Sequence, residues 1–142
     1  VSRANTRDLV GSVALVEHPR PSLMLCDKVF RLGYRREKVD PRFLAIALQS
    51  TTARWQIERE ATGASDSMQN IGQDTLYRLV LPWPSLGEQT AIATEFASRH
   101  ARLASLAAMI QDQLEKLREY RQALITVAVT GQLDSATQPE AA

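Results

Sequence analysis

His18, His100 and the single cysteine Cys26 are the residues best suited to bind a transition metal or to pair a nucleophile with a base near neutral pH. None of them stands at a zinc-binding spacing, and one cysteine cannot form an internal disulfide. The chain has no Gly-rich phosphate loop, no H-E-x-x-H helix and no G-x-S-x-G elbow. Cys26 has no histidine placed in sequence to activate it, and the carboxylates are scattered, mostly beside Arg or Lys, as on a solvated surface. The chemistry these residues suit is binding.

Two segments carry a binding inventory. "YRREK", residues 34–38, offers Arg35, Arg36 and Lys38 to phosphates, and Arg42, Arg54 and Arg59 extend a positive edge over the segments that follow. Phosphate contacts of this kind give affinity without sequence information. The same residues also describe an ordinary charged turn. The second segment, "ATGASDSMQNI", is small and polar. Thr62 and Gly63 permit close backbone approach, the hydroxyls of Ser65 and Ser67 can bond to phosphate or base, and the amide of Gln69 or Asn70 suits adenine in a major groove. Composition alone equally fits a surface connection.

These residues need elements to position them. With 142 residues the chain is long enough for one domain with a real core plus an extension. Its net charge of +1 is unevenly divided, with 12 Lys and Arg against 9 Asp and Glu up to Pro84, and 5 against 7 beyond. That bias alone does not diagnose a nucleic-acid binder. The longest apolar runs fall short of a membrane span, and "VSRANTRDLV" lacks the apolar centre of a signal peptide. A soluble protein of the reducing cytoplasm is expected. Val1 leads almost directly into strand-like sequence, which suggests a piece with structure missing upstream.

"LVGSVALVE" (9–17) and "SLMLCDKVFRLGY" (22–34) read as two strands separated by the prolines of "HPRP", and "LYRLVLP" (76–82) as a last short strand. Asp40 followed by Pro41 predicts a helix N-terminus, with Phe43, Leu44, Ala47 and Leu48 on one face. "TTARWQIEREATG" predicts a second helix, with Gly63 placed to end it, and residues 63–74 a flexible polar loop. Beyond Pro84, Ser85 and Glu88 form an S-x-x-E capping box that launches a helix. No proline interrupts residues 86–130, which at about 1.5 Å per residue make roughly 68 Å of helix ended by Gly131. Its apolar residues follow a heptad: Phe96, Leu103, Ile110, Leu117 and Leu124 recur every seven residues, with Leu106, Tyr120 and Val127 at companion positions and Leu114 broadening the stripe. Arg99 and Gln113 interrupt it. A stripe this broad suits packing against more than one helix, within the chain or between chains.

Four stretches in order, "CDKVFRLGYRREKVDPRFLAIALQS", "RWQIEREATG", "MQNIGQDTLYRLVLPWPSLGEQTAI" and "KLREYRQALITVAVTGQLD", resemble the distal half of a DNA specificity subunit of a type I restriction-modification system. The resemblance runs from about Cys26 to Asp134. It implies a non-catalytic protein: an α/β target recognition domain with DNA-contacting loops, followed by a long helix that pairs antiparallel with a second one as a spacer between half-sites. It further implies methylation subunits, which carry S-adenosylmethionine for adenine methylation, and a separate motor-nuclease subunit. No cofactor or metal is implied on this chain. The family shares the Met-x-Asn-Ile ending among members with different targets, which makes Asn70 and Ile71 loop anchors and leaves 62–69 facing DNA.

The resulting expectation is an α+β fold. It has a partial target recognition domain at 1–84 with a small mixed sheet and packed helices, one long coiled-coil helix at 85–131 and a flexible tail at 132–142. The leading function is DNA recognition with a spacer and docking helix. The alternative is an adaptor that dimerises through the stripe and binds no DNA.

Overall fold

Asp40 and Pro41 open a helix as the sequence predicts. In the computed structural model, which describes residues 1–22, 24–65 and 68–131, helix α1 spans Pro41–Gln49 and the Asp40 carboxylate accepts the backbone N–H of Arg42 at 2.9 Å. Ser50 ends α1 and starts α2, Thr51–Glu60. Its N–H reaches back to the carbonyl of Ala47 at 3.2 Å, while its hydroxyl accepts the N–H of Ala53 at 3.3 Å. One residue thus satisfies orphan groups of two helices.

The strands lie elsewhere than expected. β1 (Ala4–Asn5), β2 (Thr62–Ser65) and β3 (Met68–Asn70) form a sheet in the order β1-β3-β2, antiparallel throughout and not mixed. Residues 63–74, expected as a loop, contain most of β2, all of β3 and the first two residues of the short helix α3, Gln73–Tyr77. Helix α2 stops at Glu60, and Gly63 lies inside β2.

The three apolar runs at 9–17, 22–34 and 76–82 hold no strand among the described residues. In the first, the backbone turns: Leu9 and Val10 both donate to the Thr6 carbonyl, and Gly11 adopts φ 75°. Val10 is buried with Ile57 and Ile71, so the run supplies core without joining a ladder. In the second, an isolated bridge joins Val29 to Ser2. In the third, a side chain replaces a partner strand. The Gln56 amide donates to the Val80 carbonyl and accepts the Val80 N–H, both at 2.9 Å. Apolar composition signals burial, but a strand also needs a backbone running beside it in register, and the first two runs meet residues 1–3 through separate bonds, such as the Ser2 N–H to the Ser12 carbonyl and the Arg3 N–H to the Lys28 carbonyl.

Among the described residues, buried apolar side chains gather in two clusters. Val10, Ile57 and Ile71 gather Phe30, Ala61, Leu76 and Leu79, and Phe43, Ala47 and Ala93 gather Ile46 and Leu81. The second includes a residue of α4, the uninterrupted 44-residue helix Leu86–Val129. The predicted capping box is present, with the Ser85 N–H donating to Glu88 Oε2 at 2.9 Å and the Glu88 N–H to Ser85 Oγ at 3.4 Å. Gly131, at φ 72°, follows its last turn. The chain divides into two compact units, Val1–Phe96 and Ala97–Ala142, so the first turns of α4 belong to the first unit. The tail expected at 132–142 lies outside the described residues.

Candidate nucleic-acid interface and helix stripe

The basic segment is a tight turn. The N–H groups of Lys38 and Val39 both donate to the Arg35 carbonyl at 3.0 Å, Arg35, Arg36 and Lys38 are exposed, and Val39 and Asp40 are buried behind them. The turn therefore has a wet basic face on a dry base. Asp40 makes that base polar: its carboxylate accepts Arg42 Nε at 3.2 Å, Arg42 Nη2 at 2.8 Å and Thr90 Oγ1 at 3.1 Å. The Arg42 side-chain hydrogen bonds pull the Asp40 carboxyl down to about 2, against the opposing push of burial.

The hairpin gathers a second set. Thr62, Gly63 and Ser65 are exposed on β2, and Gln69 of β3 is half-buried, its Nε2 donating to the Ser65 carbonyl at 2.8 Å. A methyl group at Gly63 would overlap the Met68 carbonyl oxygen, so the absence of a side chain lets the two strands approach. Ile71 is buried with Val10 and Ile57, anchoring the end of the hairpin. Ser67 lies outside the described residues.

Arg54 is placed apart from both sets. Its guanidinium donates to the carbonyls of Val10, Arg7 and Asp8 and pairs with Glu58 at 3.0 Å, tying α2 to the turn at residues 6–11. Arg42 is engaged by Asp40, and Arg59 lies 4.9 Å over the ring of the exposed Trp55.

Sequence reasoning passed over Gln89, the largest buried polar side chain. It is 0% exposed and hydrogen-bonds to Asp40, Lys38 and Pro84. Its position one residue past the capping box was the only local signal. Trp83, between two prolines, sets its ring edge-on to Phe43 with centroids 6.1 Å apart, and remains half exposed.

Along α4, Phe96, Leu103, Leu106, Ile110, Leu114, Leu117, Tyr120 and Leu124 are exposed, with Leu103 at 65% and Leu117 at 63%, and Val127 is half-buried. The polar side is laced by pairs four residues apart, among them Lys116 with Asp112 at 2.7 Å. Among the described residues no group of three or more His, Cys, Asp or Glu is placed to hold a metal ion, and no helix is long and apolar enough to cross a membrane.

The chain is similar to three curated specificity subunits of type I restriction enzymes. That of StySPI from Salmonella potsdam is 31% identical over 134 residues, 94% of this chain and 28% of the relative. That of EcoBI from Escherichia coli is 28% identical over 110 residues, 78% of this chain and 22% of the relative. That of EcoEI, also from Escherichia coli, is 26% identical over 92 residues, 65% of this chain and 16% of the relative. The chain thus spans between 16 and 28% of the length of these relatives. No family model and no solved structure matches it. The resemblance to type I specificity subunits drawn from the residues holds across most of the chain.

Proposed function

We propose that this chain, a relative of type I restriction specificity subunits, is a non-catalytic DNA-recognition piece of a restriction-modification complex. The observation that carries the reading is 31% identity to one such subunit over 94% of the chain. In this reading, residues 1–84 form part of a target recognition domain. The basic turn with Arg35, Arg36 and Lys38 contacts phosphates, and Thr62, Gly63, Ser65 and Gln69 of the hairpin, together with Ser67, contact the bases. Residues 85–131 act as spacer and docking element, pairing through the stripe with a second such helix. Methylation subunits, which supply S-adenosylmethionine, and a motor-nuclease subunit are the partners.

The placement of Arg54 refines this reading. Its contacts with three backbone carbonyls and Glu58 make it a brace for the α2 face, which supports giving the DNA contacts to the turn and hairpin. An adaptor that pairs through α4 and binds no DNA is the second reading, favoured by the exposure of the stripe.

Binding to labelled double-stranded DNA across a salt series separates the two. Recognition predicts an affinity that falls steeply with salt and weakens when Arg35 and Arg36 are both changed to Ala. Absence of binding even at low salt would leave the adaptor.

A further inference from the structure

Gln89 is completely buried, and its amide serves three backbone groups. Oε1 accepts the N–H of Asp40 at 3.0 Å, while Nε2 donates to the carbonyls of Lys38 at 3.2 Å and Pro84 at 2.9 Å. Two carbonyls need donors and one N–H needs an acceptor, so the site calls for a group that is both. A carboxylate brings no donor when ionised, an ammonium no acceptor, and asparagine is one methylene short. Thr90, the next residue, donates its hydroxyl to the Asp40 carboxylate at 3.1 Å. Two successive residues of α4 thus hold Asp40 by main chain and side chain.

What Gln89 grips is the trailing end of the basic turn. The turn is closed by Lys38 and Val39 donating to the Arg35 carbonyl. Gln89 then takes the Lys38 carbonyl and the Asp40 N–H on either side of the buried Val39, across 51 and 49 residues of sequence.

We propose that Gln89 is a positioning residue for DNA contact, its amide holding the turn that bears Arg35 and Arg36 against the first turns of α4. The two guanidinium groups then leave a backbone of set direction, and the ordering cost of a loose loop is incurred in folding instead of at the DNA. This rests on the reading of the turn as a phosphate-contacting element, and goes beyond it by naming what orients that element.

The test uses the whole chain and a fluorescent, mixed-sequence duplex of about 30 base pairs, long enough to hold several phosphate contacts. Anisotropy is followed over a salt series for the unaltered chain, R35A/R36A, Q89E and the triple variant. Q89E keeps the acceptor and loses both donors. The expected result is roughly tenfold weaker binding for Q89E, with a shallower salt slope, and a triple variant no weaker than R35A/R36A, because residues acting through one another are not additive. Unchanged affinity in Q89E, or effects that simply add, overturns the positioning role and leaves DNA binding standing. Unchanged affinity in R35A/R36A removes the turn from the interface, and the inference with it. Should Q89E fold poorly, nitrogen-15 spectra of the unaltered chain decide. Adding the duplex is expected to shift the Gln89 side-chain NH₂ pair and the Asp40 amide together with residues 35–38, and a duplex that shifts other resonances while leaving these in place overturns the proposal.

Discussion

Gly11 meets two demands that no other residue meets together. Its φ of 75° is in the left-handed region, and a Cβ there would lie 2.6 Å from Ile57 Cγ2 in the core. Gly11→Ala is expected to cost at least about 1–3 kcal/mol, read from the urea midpoint, because backbone strain and overpacking coincide. Asp40 gives a pH signature. Its carboxyl sits at about 2 in the folded chain against an ordinary 3.8, so the folded state binds its proton less readily than the unfolded one. Its contribution to stability is complete above about pH 4 and is lost as pH falls through about 2. Urea titrations across that window are expected to show falling stability in the unaltered chain and a flatter dependence in Asp40→Asn, which keeps a capping oxygen without the charge. The cap itself was legible from Asp40-Pro41. Arg54 was legible only as a cation, since its role as a brace depends on carbonyls 44 and more residues away.

Helix signals read well because they are local. Ser85 and Glu88 bond to each other across three residues, so the start of α4 follows from their spacing. Ser85→Ala is expected to destabilise the helix start by about 1 kcal/mol, visible as faster amide exchange in the first turn of α4. Strand signals read poorly. The runs at 9–17, 22–34 and 76–82 are apolar, yet their backbones find turns, one bridge or the Gln56 amide, while small polar residues make the hairpin. Short segments of this kind take the conformation their neighbours allow, and residue type contributes little. The heptad on α4 was legible because its period needs no partner to be seen. Ile110→Glu or Leu117→Glu, each placing a charge in the stripe, is expected to abolish assembly while leaving helicity by circular dichroism nearly unchanged.

For the molecule as a whole, the exposed stripe leads to a prediction about association. Sedimentation equilibrium is expected to show concentration-dependent self-association of the chain, because a stripe of large apolar residues left wet is costly. A monomer at high concentration with α4 fully formed would count against a self-pairing seam. The sequence by itself determined the helix starts at Asp40 and Ser85, carried by residues within a few positions of one another, and the 3.5-residue periodicity of α4 and the resemblance to specificity subunits, carried by the order of residues along the chain. Only the tertiary structure decided which backbone each apolar run met, that Arg54 braces α2, and that Gln89 ties α4 to the basic turn. The Arg54 and Gln89 contacts close loops of 44 to 51 residues. Such pairings depend on where the packed core brings distant segments, and local spacing carries no record of that.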